Sequence, residues 1–541
     1  MSSLARASAV MTLGTVLSRV TGLARLAAIA AALGAVESRL PDAYNIANTA
    51  PNIIYELVLG GILTSVFVPV FVELLEKEGR EKAWEVGSAI INVSLVILVA
   101  VAALGVLCAP LIARFYAITL EGDAALMQQR VVTFLLRLFL PQIIFYGLAA
   151  VTAGLLNAHK RFGPPMYTPV LNNLAVIAVF IAFHQAYGDD VDLADISTRQ
   201  LWIIGAGTTV GVALMAVAQL PFLRGLGRYR LTFSLSHPAM KKLAKLSVFV
   251  IGYVIANQIG YLIVQLLAND QQGGYSAYIS AFTFFLLPHG LFAVSVITAL
   301  LPGMSELAVN SRWDEFRERL STGIRSTLLL LLPAAIGYLL LSEEIIAFLL
   351  ERGVFSAAST ELVSSVLRYF VVGLVPFALF QLFLRAFYAM QDTKTPFLIN
   401  CAAVAVNIAI NLPLYAWLGV RGLAAGHAIA YTFGATLQGR VLGRRIGGLD
   451  GARIRSSALR IGAAGLGMGA SIWAVAELTR GIVGTTGTGP RVTVLVVAIA
   501  VGVGSYLGLA SLFKVEELRH IRAIVARRTQ VNPHDLDPDG R

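Results

Sequence analysis

The chain has 541 residues, of which 57% are hydrophobic and 13% are charged, and its mean hydropathy is +0.75. Soluble domains carry roughly 25% charged residues, so this composition excludes an ordinary soluble protein. A net charge of +11 would suit nucleic acid, but the basic residues lie in short loops between apolar segments, where they are topology signals. Cys108 and Cys401 both lie inside apolar segments, so neither a disulfide framework nor a zinc site is expected.

Apolar segments follow one another along the whole chain. A spanning helix needs about 20 apolar residues to cross roughly 30 Å of hydrocarbon, so the chain has room for about 14 of them. The first continues without a convincing cleavage site, so we interpret it as a retained helix rather than a signal peptide. The predicted spans are 7–33, 45–72, 86–113, 131–157, 166–187, 201–222, 246–268, 276–302, 324–349, 362–390, 396–418, 421–442, 459–478 and 492–513.

The charge of the loops orients these spans, because cytoplasmic loops retain Lys and Arg. The loop after the sixth span has six basic residues and no acid: Arg224, Arg228, Arg230, Lys241, Lys242 and Lys245. The loop after the fifth span is acidic, with Asp189, Asp190, Asp192 and Asp195. We therefore expect both termini in the cytoplasm. Residues 514–528 suit a helix on the membrane surface or a solvated helical tail, and residues 529–541 are expected to be disordered.

Matched prolines indicate an internal repeat. Pro69 and Pro302 close similar spans (302 − 69 = 233), and Pro141 and Pro376 open similar spans (376 − 141 = 235). Because six spans separate the copies, the two lobes should be related by a pseudo-two-fold axis along the membrane normal and could rock about a cavity. The expected organisation is an N-lobe at 1–240, a C-lobe at 241–450, two extra helices within 451–513 that could shape a lipid-facing groove, and a cytoplasmic tail at 514–541.

Charged residues inside predicted spans are the best functional pointers. Arginine costs about 2.5–3.5 kcal/mol at mid-membrane on insertion scales, so Arg19 and Arg25 are expected to line a cavity or to pair. Glu56 on the second span is placed to form a salt bridge with Arg25 or to face the same cavity. The same span adds hydrogen-bonding side chains that could bind substrate or join packed helices: Asn48, Asn52 and Tyr55.

No catalytic motif is found in the sequence. There is no metal-ligand spacing, no P-loop and no nucleophile elbow. We therefore expect a transporter rather than an enzyme, without a cofactor or metal, driven by an ion gradient, the membrane potential or consumption of its substrate.

Two motifs carry a family resemblance. The first is LSRVTGLAR at 17–25, and the second is DAYNIANTAPNIIYELVLGGILTSVFVPVFVE at 42–73. With LPHGLFAVSVITALLPGMSELA at 287–308 and FYAMQDTKTP at 387–396, the chain resembles the MurJ (MviN) lipid II flippases. These belong to the multidrug, oligosaccharidyl-lipid and polysaccharide exporter superfamily. The resemblance covers nearly the whole chain.

The resemblance implies an all-helical protein of about 14 spans that flips lipid II, the lipid-linked peptidoglycan precursor, by alternating access. It implies that Arg19 and Arg25 bind the pyrophosphate, that Asp42 lies at an outer gate, and that the last two helices hold the undecaprenyl tail. Guanidinium groups suit this role, because they offer forked donors to phosphate oxygens and stay charged.

The chain departs from the family pattern at several positions. Many members have an acid directly after the second arginine and further basic residues on spans 2 and 8, where this chain has Leu26, Thr49, Tyr55 and Thr283. The cavity should therefore be less cationic. The chain also lacks the carboxylates with which some members bind sodium on spans 7 and 11, so no sodium site is expected.

Other functions stay open on the sequence alone. The chain could export another lipid-linked oligosaccharide or a drug, although a cationic drug would favour acidic walls. It could be a polyprenyl-phosphate transferase, for which Asp392 is an isolated candidate residue, or a scaffold without transport activity. The resemblance implies lipid II and membrane lipids as partners, with a cell-wall synthase as a further candidate. It also implies a monomer in the bacterial inner membrane that binds no nucleic acid.

Overall fold

The structure, a computed structural model, describes residues 3–57, 68–189, 191–233, 238–484 and 487–518. These residues form α-helices without any strand. The first nine helices are α1 (Ser3–Leu33), α2 (Leu40–Tyr55), α3 (Val68–Lys77), α4 (Gly79–Tyr116), α5 (Gly122–Phe139), α6 (Gln142–Ala158), α7 (Gly163–Tyr187), α8 (Thr198–Val217) and α9 (Pro238–Asp270). The next nine are α10 (Gly274–Pro288), α11 (Val294–Val309), α12 (Trp313–Leu350), α13 (Ala357–Val372), α14 (Leu374–Ala389), α15 (Lys394–Leu418), α16 (Val420–Ile446), α17 (Gly451–Val483) and α18 (Thr488–Leu512).

The helices confirm the prediction of an all-helical polytopic membrane protein. Within the described ranges, 11 segments are long and apolar enough to span a membrane, or 12 if α13 and α14, bent by 49°, form one span. Two predicted spans are not among them. The span 45–72 contains residues outside the described ranges, and the span 421–442 corresponds to α16, which ends in a basic turn. The total of 14 stays a prediction.

The helix bounds repeat along the chain at the offset seen in the sequence. Both α4 and α12 have 38 residues, and they begin 313 − 79 = 234 positions apart. Helices begin at the second pair of matched prolines: α5 gives way to α6 at Pro141, and α13 gives way to α14 beside Pro376. Proline has no N–H to donate and is favoured at the start of a helix, which suits both positions. Proline alone does not break a helix here, because Pro110 and Pro333 lie inside α4 and α12. The axis relating the copies stays a prediction.

A second backbone feature repeats in the same way. The chain turns from α-helical to π-helical hydrogen bonding at Glu56 and again at His289, which lie 289 − 56 = 233 positions apart. A π-turn adds one residue to a helical turn and is frequent at functional sites. Glu56 therefore lies where the helical hydrogen bonding of its span changes from α to π.

The chain divides into two compact units, which do not coincide with the predicted lobes. The first consists of Met1–Ala281, Leu349–Val366 and Asn400–Gly426. In it, α1 packs on α7, α7 packs on α8, and α2 packs on α5 and α6. α1 and α2 carry the predicted site residues, and these contacts hold both helices within the first unit. The units are defined by contacts between residues, whereas the lobes were predicted from the sequence repeat. The lobe boundaries at 240 and 450 therefore stay a prediction.

The second unit consists of Phe282–Phe348, Leu367–Ile399 and His427–Arg541. Among its described residues, one part of the apolar core joins α12, α17 and α18, another joins α11, α12, α14 and α16, and a smaller one joins α14, α15 and α16. The extra helices α17 and α18 therefore pack on α12. From residue 519 onward, the predicted surface helix and disordered tail lie outside the described residues.

Candidate functional site

The two predicted span-1 arginines lie on α1 and form no ion pair with any described residue. Arg19 is exposed and Arg25 is half-buried. Within the part of the chain that the structure describes, neither guanidinium forms a salt bridge or a hydrogen bond. By contrast, Arg325 and Arg480 each contact a carboxylate. Cationic side chains without a carboxylate partner are available to an anionic ligand.

A buried amide on α7 fixes α1 between these arginines. The Nδ2 atom of Asn173 donates to the carbonyl oxygen of Ser18 at 3.2 Å and to Oγ1 of Thr21 at 3.0 Å. A Cβ atom at Gly22 would lie 3.8 Å from the same Nδ2 atom. Gly22 therefore faces α7, and the hydrogen bonds of Asn173 hold the rotation of α1 about its own axis.

Arg25 lies among tyrosines of neighbouring helices. Its guanidinium interacts electrostatically with the hydroxyls of Tyr44 on α2 and Tyr146 on α6. The hydroxyl of Tyr44 also hydrogen-bonds Oγ1 of Thr208 at 2.9 Å. The ring of Tyr55 lies 6.0 Å from that of Tyr146, centroid to centroid. The rings of Tyr55 and Tyr146 therefore pack together beside the candidate site.

The remaining predicted residues lie along α2 and at its end. Asn48 is half-buried and Asn52 is exposed, while Glu56 is half-buried at the π-turn. Glu56 makes no ion pair with Arg25 within 4.0 Å among the described residues, so the salt bridge that the sequence allowed is not formed.

Asp42 lies at the other end of α2 and is fully buried. Its Oδ2 atom accepts from the backbone N–H of Gly273 at 2.7 Å, and its Oδ1 atom accepts from the N–H of Ser276 at 2.8 Å and from Oγ of Ser276 at 2.7 Å. Gly273 has φ +72°, and a Cβ there would lie 2.5 Å from the carbonyl oxygen of Ala35. Only glycine permits both this conformation and this close approach.

The loop between α1 and α2 makes further contacts at the same end. Oε1 of Glu37 accepts from the N–H of Ser356 at 2.9 Å and from Oγ of Ser359 at 2.8 Å. Arg39 donates to the backbone carbonyls of Asn269 and Asp270, at 3.0 Å each. Glu37, Arg39 and Asp42 with their partners are called the loop cluster below. It joins the start of α2 to the α9–α10 turn and to the start of α13.

Glu37 lies in a loop outside the spans, and its surroundings favour the ionised form. Partial burial would raise the pKa of this carboxyl, but hydrogen bonds from Ser356, Ser359 and the backbone of Ala35 outweigh burial and hold the pKa below its usual value of 4.5. The loop cluster therefore contains a charged acceptor at neutral pH.

The sequence predicted some of these residues and missed others. The family resemblance placed Asp42 at the outer end of its span. No sequence pattern indicated that Ser276, more than 200 residues later, would donate hydrogen bonds to it. Tyr44, Tyr146 and Asn173 were also missed, because polar side chains in apolar segments are common as links between helices. Among the described residues, no group of three or more His, Cys, Asp and Glu side chains is arranged to hold a metal.

The apolar helices and the broken spans define a class: a multi-pass helical membrane protein. Comparison with known proteins gives the family. The family model described as lipid II flippase MurJ matches residues 29–488. The chain belongs to the MurJ family of lipid II flippases, and it is a multi-pass protein of the inner membrane.

Individual relatives agree with this assignment. The chain is 31% identical over 416 residues to a probable lipid II flippase of Rhizobium meliloti, covering 76% of each chain. It is 30% identical to the lipid II flippase of Burkholderia cenocepacia, covering 79% of this chain and 81% of the relative. It is also 27% identical to a probable lipid II flippase of Vibrio cholerae, over 94% of this chain and 96% of the relative.

Solved structures share the fold. A lipid II flippase MurJ in an inward closed conformation superposes with a TM-score of 0.74 at 24% identity, covering 93% of this chain and 98% of that chain. An inward-facing multidrug resistance MATE family transporter of the MOP superfamily gives a TM-score of 0.65 at 15% identity, covering 80% and 94%. The fold is thus the one expected from the sequence.

Proposed function

We propose that the chain carries lipid II from the cytoplasmic to the outer leaflet of the inner membrane. The observation that supports this most is the match of the MurJ family model to residues 29–488. Arg19 and Arg25, which have no carboxylate partner among the described residues, supply the chemistry, because lipid II carries a pyrophosphate. Two such guanidinium groups on one helix would not favour a neutral or cationic drug.

In this proposal Arg19 and Arg25 bind the pyrophosphate oxygens. Each guanidinium can donate two parallel hydrogen bonds to phosphate oxygens, and neither donates a hydrogen bond to another described residue. The two residues are six positions apart, which is about 9 Å along the helix, so they reach different parts of one headgroup. Asn48, Asn52, Tyr55 and Glu56 on α2 provide further polar contacts for the sugars and the peptide.

The loop cluster is the outer gate of this proposal. Both termini lie in the cytoplasm, so the α1–α2 loop lies outside, and the contacts of Asp42, Glu37 and Arg39 close the route to the outer leaflet. Rocking of the lobes separates these hydrogen bonds and releases the headgroup outward. The undecaprenyl tail stays in the bilayer, along the groove beside α17 and α18. The protein works as a monomer and could pass its product to a cell-wall synthase.

The test is complementation of a bacterium whose own flippase is depleted. We expect the wild-type chain to restore growth and an Arg19→Ala/Arg25→Ala double variant to fail. Loss of the charged hydrogen bonds, worth about 1.5–3 kcal/mol each, should weaken headgroup binding by roughly 100-fold or more. Arg137→Ala, an exposed arginine on α5, is the matched control and should complement.

Membrane levels of all three proteins must be equal for this comparison. Full growth with the double variant at the wild-type level would show that the pyrophosphate binds elsewhere. Failure of the wild-type chain itself, when correctly inserted, would contradict the function rather than the site.

A further inference from the structure

The second unit contains a charged cavity that shares no residue with the candidate site. It has a volume of about 350 Å³ and lies where α12, α13, α17 and α18 meet. Its polar lining comes from Glu343, Glu344, Arg368, Arg480 and Arg491. These helices contribute their ends here: Arg480 lies in the last turn of α17, and Arg491 in the first turns of α18. The family function uses none of these residues.

The charges of this α17–α18 cavity are fixed by contacts within its wall. Arg368 donates through Nε to Oγ of Ser342 at 2.8 Å, and its NH2 lies 3.5 Å from Oε2 of Glu343. Arg480 forms ion pairs with both Glu344 and Glu477. The cavity therefore presents cations and anions side by side, which favours a ligand that carries both signs.

One buried acceptor is left without a donor. Glu344 is 8% exposed, and its Oε1 atom is bound by Arg480. Its Oε2 atom is buried and accepts no hydrogen bond from the described residues. A buried carboxylate oxygen without a donor lowers the stability of the fold, because the oxygen has lost its hydrogen bonds to water. The Oε2 atom of Glu344 therefore still lacks a hydrogen-bond donor. A ligand with an N–H group would supply one.

The flanks of the cavity are apolar and exposed. Leu478 and Ile482 on α17 are 65% and 76% exposed, and Val496 on α18 is 59% exposed. In a membrane-spanning protein such side chains face acyl chains. The charged cavity is formed at the ends of the apolar helices α17 and α18, and the ends of spanning helices are where we expect lipid headgroups.

We propose that the α17–α18 cavity binds the headgroup of a zwitterionic aminophospholipid. The phosphate contacts Arg368 and Arg491, and the primary ammonium donates to Glu343 and to Oε2 of Glu344. A quaternary ammonium has no N–H for Glu344, and an anionic headgroup without an amine also leaves Oε2 of Glu344 without a donor. The cavity therefore selects phosphatidylethanolamine over phosphatidylcholine and phosphatidylglycerol. This inference is independent of the substrate assigned above.

Native mass spectrometry of the full-length chain in detergent tests the proposal. Each of the three phospholipids, with identical acyl chains, is added at the same concentration, and the lipid-bound fraction is measured. We expect phosphatidylethanolamine to bind about tenfold more tightly than the other two, the ratio given by one charged hydrogen bond. A Glu343→Gln/Arg491→Gln double variant should lose this preference.

The matched control is Glu361→Gln/Arg455→Gln, which changes the same charges on α13 and α17 outside the cavity. It should keep the preference. Glu344 and Arg480 are left unchanged, because breaking their partly buried pair endangers folding. Equal binding of the three lipids to the wild type, tighter binding of phosphatidylglycerol, or a double variant that behaves as the wild type would each overturn the proposal.

Discussion

Charged side chains have two different roles in this protein, and their partners distinguish them. Arg325 is 7% exposed and forms an ion pair with Glu517, which is 4% exposed and also accepts from Oγ of Ser457 at 2.9 Å. This buried pair ties the segment after α18 to α12 and α17. Arg19 and Arg25 have no such carboxylate in the described ranges. A buried pair supports the fold, whereas an unpaired cation on a spanning helix is available to a ligand.

The buried pair gives a stability prediction. Glu517→Gln leaves the charge of Arg325 without its buried counter-charge, so the free energy of unfolding should fall by about 3 kcal/mol. The measurement is unfolding of the purified chain in mixed micelles. Glu516→Gln is the neighbouring control, because Glu516 is exposed and lies 3.7 Å from Arg325. It should change the free energy by less than about 1 kcal/mol. Equal losses in the two variants would contradict the role of the pair.

Glu37 gives a pH prediction. Its pKa is held below 4.5, so the stability it contributes is fully present above pH 4.5 and is lost as the pH falls through the lowered pKa. Glu37→Gln should therefore lower the melting temperature at about pH 7, and the difference from the wild type should shrink as the pH falls below 4.5 and the wild-type carboxyl takes up its proton. Glu121→Gln, which removes an acid from another loop, is the control and should leave the melting temperature at about pH 7 unchanged. A constant difference across this range would show that charge at Glu37 is unimportant.

At the scale of helices, hydropathy and proline predicted much of what the structure contains. Every predicted span except for the undescribed part of 45–72 coincides with helical backbone, since a bilayer admits little else. The helix starts at Pro141 and Pro376 followed from the preference of proline for the start of a helix. The π-turns at Glu56 and His289 did not, because no residue type specifies an extra residue in a helical turn.

The bend between α13 and α14 gives a prediction at this scale. Gly373 lies at the bend, and a Cβ there would lie 2.6 Å from the Cα of Ala428 on α16. Gly373→Ala should force α16 away and lower the free energy of unfolding by about 1–3 kcal/mol. On α12, Gly337 has nothing within 4 Å of an added Cβ, so Gly337→Ala is the control and should be neutral or slightly stabilising. Thermal unfolding of both variants in one detergent distinguishes them. A stable Gly373→Ala variant would mean that the bend does not depend on this close packing.

For the whole molecule, the sequence predicted the class and the family more completely than the site. Composition and loop charge indicated a polytopic membrane protein, and the motifs at 17–25 and 42–73 indicated the flippase family. The contacts of Asp42 with Gly273 and Ser276 needed the structure, because hydrogen bonds between residues more than 200 positions apart leave no local pattern. The same holds for the α17–α18 cavity, whose lining comes from four helices.

We propose that the chain moves lipid II outward by using Arg19 and Arg25. A membrane-impermeant cleaving enzyme, added to flippase-depleted cells, measures how much lipid II has reached the outer leaflet. We expect accessible lipid II in cells with the wild-type chain or with Arg137→Ala, and only background with Arg19→Ala/Arg25→Ala at equal membrane levels. Wild-type amounts of accessible lipid II with the double variant would show that these arginines are not needed for transport.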